Sequence, residues 1–259
     1  MKKIFLYILA GSLCFSACKK DDTPDVYVEP EDIATQNTYD DQAIKKLMDE
    51  NYLDAQGNIK AFSSTDTADD NEKKLSELSP VTLPSGTIYI VRSGAQPPAN
   101  PTPAYESTIK DDDIIKIMGR VYSYLAVNSD GNTSFTSKAA FLNTIDGTGI
   151  PVIDPMFYYT KRSILEAGTT DAAKKAKYYQ IPGFREALQK FKAFNNPSSE
   201  APYNLQGVII VPSRAAFARN PHYPYLNTSY RNKSFVFNFQ IYGRENRPDG
   251  EKQTSEQQQ

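Results

Sequence analysis

The segment Ser234 to Tyr242, SFVFNFQIY, constrains this chain's fold more than any other part of it. Successive side chains of a strand point to opposite faces, so Phe235, Phe237, Phe239 and Ile241 share one face. A face that apolar must be covered, which places this strand in a sheet with another layer packed on it. Gly207 to Val211 is a second, continuously apolar strand, stopped by Pro212. Ser85-Gly86 is a turn leading into the β-branched and aromatic run Thr87 to Val91, again a strand. Asp112 to Ile117 opens a further strand that Val121 to Leu125 continues. Asn128-Ser129-Asp130-Gly131-Asn132 is a turn by its Asp-Gly pair, and Ser134-Phe135-Thr136 is the returning strand.

Helical spacing occurs in two places. Asp40 and Asp41 precede Ile44, Leu47 and Met48, which predicts an N-capped helix there, with Gly57 closing the region. Pro182 stands in a first turn ahead of Phe184, Ala187, Leu188 and Phe191, the i, i+3, i+4, i+7 pattern of a short helix lying on a sheet. Residues 63–80 are polar loop, and the four prolines between Ala95 and Pro103 exclude a central strand or helix. The stretch 138–179 has no clear period; it holds glycine turns at Gly147 and Gly149, an aromatic run Met156 to Tyr159, and a helix-prone segment from Asp171. Strands, one short helix and strands again make an α+β fold, an antiparallel sheet curled over a helix.

The N-terminus reads as an export signal. Lys2 and Lys3 precede an apolar run from Ile4 to Leu13, shorter than the roughly 20 residues that span a bilayer. Ser16-Ala17-Cys18 resembles a lipobox, which implies cleavage after residue 17 and lipid on Cys18, although Phe15 is an unusual first residue for it. Lys19-Lys20-Asp21-Asp22 resembles the signal that carries some Gram-negative lipoproteins to the outer face of the outer membrane. With Cys14 removed and Cys18 acylated, no thiol is left for a disulfide, a thiolate metal site or a nucleophile. Lysine and arginine total 29 against 31 acids, so no nucleic-acid surface is implied. His222 is the single histidine, in a proline- and tyrosine-rich stretch, and a His-based triad or multi-histidine zinc site needs partners it lacks. No cofactor and no metal are expected.

The last third resembles the FKBP-type peptidyl-prolyl isomerases. Gln180-Ile181-Pro182-Gly183-Phe184 is similar to that family's apolar, glycine and aromatic segment leading into its helix. Val211-Pro212-Ser213-Arg214-Ala215-Ala216-Phe217-Ala218 is similar to its proline-serine-x-x-alanine-tyrosine-glycine loop, and Phe235 to Phe239 to its closing strand. Ser85 to Gly94 looks like its opening strand, as found in lipoprotein members with a helical segment before the domain. The chain then divides into five parts: a signal at 1–17, a polar, flexible tether at 18–38, a helical segment and loop at 39–80, by resemblance an FKBP-like domain at 81–245 with an insertion at 138–179, and a polar, disordered tail at 246–259.

The resemblance also implies a site without acid, base or nucleophile. Prolyl bonds isomerise slowly because amide resonance must break, a barrier of about 18–20 kcal/mol. A dry aromatic pocket favours the twisted amide while a backbone N–H holds the substrate carbonyl. By resemblance, Phe184 is the pocket floor, Ile181 supplies an apolar wall and that N–H, and Phe135 and Phe237 are side walls. Phe217 replaces the loop tyrosine. This chain departs from the pattern at Phe217, which lacks the hydroxyl, at Thr136, which replaces an aspartate, at Gly119, which aligns with a wall tyrosine, and at Ala218, which replaces a glycine. The long 138–179 segment has the length to overhang or fill the pocket. Three functions stay open: an isomerase acting on proline-containing segments, a non-catalytic module holding a peptide or another envelope protein, and a glycan-binding surface lipoprotein suggested by the tyrosines of 157–159 and 223–230.

Overall fold

The computed structural model describes residues 27–146, 149–198, 200–220 and 229–259. The export signal with Cys18, and His222 with its tyrosines up to residue 228, lie outside the described residues. In chain order the elements are α1 (Ile33–Glu50), β1 (Asn51–Leu53), β2 (Ile59–Ala61), β3 (Val81–Thr82), β4 (Ile88–Val91), β5 (Ile114–Ser129) and β6 (Asn132–Asn143). Then follow β7 (Val152–Ile153), α2 (Arg162–Glu166), α3 (Pro182–Leu188), β8 (Gly207–Val211), β9 (Lys233–Glu245) and α4 (Ser255–Gln258).

The chain is α+β. Its main sheet is antiparallel in the order β3-β4-β8-β9-β5-β6, with β7 also paired to β5. β1 and β2 form a separate two-stranded ribbon. The sheet turns from β5 to β6 through Asp130 and Gly131, both at positive φ, as a two-residue hairpin turn requires. The centre of the sheet is covered on both faces. On the inner face, Phe235, Phe237, Phe239 and Ile241 of β9 pack with Ile209 and Val211 of β8 and with Phe184, Ala187 and Leu188 of α3. On the outer face, Val208, Ile210 and Val236 pack with Ile44 and Met48 of α1. This double burial explains why Gly207–Val211 reads as an unbroken apolar run rather than an alternating one.

Three expectations need correction. The first concerns the tether. The helix expected near Asp40 begins at Ile33, capped by Asp32, whose carboxylate accepts from Ala34 N at 3.0 Å. Ile33 to Thr38, read as flexible tether, are therefore helical. Two polar residues of this helix are buried and partnered. Asp40 accepts from Ser213 N at 2.8 Å and from Gln36 Nε2, which also reaches Ala126 O. Burial raises the Asp40 carboxyl above its ordinary value.

The second correction concerns the tail, read as disordered because it is polar. It is ordered, and it docks on the 138–179 segment. The Arg247 guanidinium is fully buried, pairs with Asp154 and lies 4.0 Å over the Tyr159 ring. Gln253 N donates to Tyr159 Oη at 2.8 Å, and Gln253 Nε2 donates to Thr160 O at 2.6 Å. Composition alone misses this, because buried charges are tolerated where partners are supplied from far along the chain. The third is smaller: the helix-prone segment after Asp171 forms turns and one short 3-10 helix, Ala176–Tyr178, and the regular α-helix of the 138–179 segment is α2, earlier in the chain.

Candidate functional site

The residues singled out around Phe184 converge, with one exception, on the inner face of the sheet. α3 delivers Phe184 because Pro182 opens the helix and Gly183 lets it sit against the strands. A Cβ on Gly183 would stand 2.3 Å from Thr87 Oγ1 and 2.8 Å from Val211 Cγ1. Phe184 stacks on Phe237 with ring centroids 4.1 Å apart, and both are fully buried. Ile181 lies beside them, also fully buried. Phe217 reaches the same cluster from the loop after β8, 5.9 Å from Phe235 and 5.8 Å from Tyr230. Ala218, where the resemblance puts a glycine, keeps a positive φ of 49°. For alanine that conformation costs roughly 1–2 kcal/mol.

Phe135 is the exception and a correction. It is not a wall of this centre. In β6 it pairs with Ala126, on the sheet face of Tyr124, and its ring lies 5.1 Å from Tyr124. Irregular pairing between β5 and β6, with Ser137 at positive φ, then turns the strand over. A bulge reverses the period-two pattern, so Phe141 faces inward instead. Phe141 meets Phe157 at 5.3 Å, Phe235 at 5.1 Å and Tyr230 at 5.4 Å. Gly119 has no room for a wall side chain: a Cβ there would be 2.5 Å from Asn238 O.

The space over Phe184 is filled by the chain itself. Phe157, from the 138–179 segment, packs 5.6 Å from Phe184 and 5.8 Å from Phe237. Its carbonyl accepts the Ile181 N–H at 2.8 Å. Tyr158 closes the other side, 6.3 Å from Phe184, with its hydroxyl donating to Lys110 O, and burial raises its phenol pKa. All three aromatic residues from Phe157 to Tyr159 are buried. The arrangement holds an apolar ring and one carbonyl in a dry aromatic enclosure, and both are supplied internally. Sequence reasoning did not assign Phe157 to the site; the signal was the aromatic run itself, inside a segment whose period is unreadable.

No family model matches the chain, and no curated protein matches it. Among the described residues, no helix is long and apolar enough to cross a membrane.

Proposed function

We propose that this is an exported, lipid-anchored protein whose FKBP-like domain serves as a non-catalytic binding or scaffold module in the cell envelope. The observation that carries the reading is Phe157, with its ring on Phe184 and Phe237 and its carbonyl on the Ile181 N–H. Those are the two contacts that a proline residue and the carbonyl preceding it would need in an isomerase of this kind.

Support for the FKBP-like fold comes from the convergence of the quoted segments. The opening strand, the helix at Pro182, the loop after Val211 and the closing strand all meet in one aromatic centre. The lipobox-like Ser16-Ala17-Cys18 and the following Lys19-Lys20-Asp21-Asp22 support the anchor and the outer leaflet of the outer membrane.

Magnitudes favour binding elsewhere over isomerisation. Removing a buried phenylalanine typically costs about 3–5 kcal/mol. If displacing Phe157 costs a similar amount, a substrate's apparent affinity falls by about two to three and a half decades. A protease-coupled assay with a proline peptide tests the reading on folded, full-length protein. The expected rate is the uncatalysed one. Clear acceleration proportional to protein concentration would replace this reading with an isomerase whose plug leaves in solution.

A further inference from the structure

A second concavity lies on the opposite face of the sheet. It is a cleft of about 430 Å³ between the end of α1, the β1–β2 ribbon and strands β5 and β6. That volume is within the range of small-molecule sites, roughly 300–1,000 Å³. Its charged and tyrosine lining is Lys60, Arg120, Tyr122, Tyr124, Lys138 and Asp146.

The walls are held in place by contacts that do not consume the binding groups. Asn238, on β9, fixes the ribbon: its Nδ2 donates to Gly57 O at 2.9 Å, and its Oδ1 accepts from Ile59 N at 3.3 Å. Arg120 clamps the far side. Its guanidinium donates to both carboxylate oxygens of Asp146, at 2.7 and 2.5 Å, and to Asn58 Oδ1. The same contact holds the Asp146 carboxyl well below the usual carboxylate range. The one acid of the lining is therefore ionised and already engaged.

Three cations face that single carboxylate, so the cleft carries a positive excess. Lys60 and Lys138 make no hydrogen bond or ion pair among the described residues; Lys138 Nζ stands 4.1 Å over the Tyr122 ring. Burial pushes the Tyr124 phenol up to about 12, so it stays protonated and able to donate. The carbonyl end of α1 also borders the cleft, where an anion would be disfavoured, but Asn51 Nδ2 donates to Leu47 O at 2.7 Å and covers that carbonyl.

We propose that this cleft binds a small hydroxylated organic anion, a sugar bearing a carboxylate or a phosphate. The two ammonium groups meet the charge, and the tyrosine hydroxyls and rings meet the hydroxyls and the apolar face of the sugar. The proposal does not depend on the inner centre around Phe184, which lies across the sheet.

Isothermal titration of full-length protein in detergent at low salt tests it, with glucuronate, glucose-6-phosphate, glucose and inorganic phosphate as probes. Saturable binding of glucuronate or glucose-6-phosphate is expected, at least tenfold tighter than glucose or inorganic phosphate. The tighter of the two names the anionic group. The Lys60→Gln/Lys138→Gln double variant should weaken it at least tenfold; both lysines are solvent-exposed, and thermal unfolding checks that the fold is kept. Equal binding of glucose, equal binding of inorganic phosphate, an unaffected double variant, or no binding of either sugar anion would each overturn the proposal.

Discussion

The two faces of the main sheet use their side chains in opposite ways. The inner face gathers Phe184, Phe235, Phe237, Phe239 and Ile181 and fills the space above them with Phe157 and Tyr158. The outer face buries Val208, Ile210 and Val236 under α1, yet leaves Lys60, Lys138, Tyr122 and Tyr124 around an open cleft. Aromatic richness marks the core, because rings that complete one another leave nothing for a ligand. Lys60 and Lys138, whose ammonium groups make no hydrogen bond or ion pair among the described residues, mark the face that remains available.

The largest effect should come from the inner face. Phe157→Ala removes a ring that touches Phe141, Phe184 and Phe237 and should cost about 3–5 kcal/mol of stability, read by urea unfolding. A loss below about 1 kcal/mol would mean that the plug is loosely seated and would break the contrast between the faces.

The plug is held in turn by the C-terminal tail. Asp154→Ala leaves the buried Arg247 guanidinium with Glu251, 3.3 Å away, and backbone carbonyls. Removing one partner of a buried pair costs about 3–5 kcal/mol; with those remaining acceptors, about 2–3 kcal/mol is expected by the same urea unfolding. If truncation after Glu245 were as well tolerated as a surface substitution, the tail would have no part in holding the plug.

The smallest effect belongs to the outer face and appears only in acid. The Asp146 carboxyl is depressed by its hydrogen bonds from Arg120. A carboxyl with a lowered folded-state pKa stabilises above its unfolded value, about 3.9, and loses that contribution as pH falls through the folded one. Unfolding of the native protein and Asp146→Asn should therefore differ by a constant amount from pH 7 to about 5, begin to approach each other below about pH 4, and converge only as pH falls through the depressed folded-state value. Because Asp146 is exposed, the difference should be small. Convergence already at pH 6 would exclude this carboxyl as its source.

Much of the fold was legible because period and turn chemistry agree. The alternation in Phe235 to Ile241, the Pro212 stop, the Asp130-Gly131 turn and the Pro182 start each give one structural answer. Three features were not. Phe135 fell on the wrong face because a bulge at an ordinary-looking Ser137 reverses the alternation. The tail is polar in composition yet ordered, because Arg247 and Gln253 take their partners from Asp154, Tyr159 and Thr160, some ninety positions away. The role of Phe157 depends on a chain reversal that no local pattern encodes. The cleft was equally invisible, since Lys60, Arg120 and Lys138 come from separate strands and meet only in the folded chain.

The most direct test of the central claim is amide hydrogen exchange at Ile181. With its N–H donated to the Phe157 carbonyl inside a dry aromatic enclosure, this amide should exchange only through near-global unfolding, as slowly as Phe237 and Phe239 in the central strand. Exchange of Ile181 on the timescale of exposed loops, with those strand amides still protected, would show the pocket open and contradict the account.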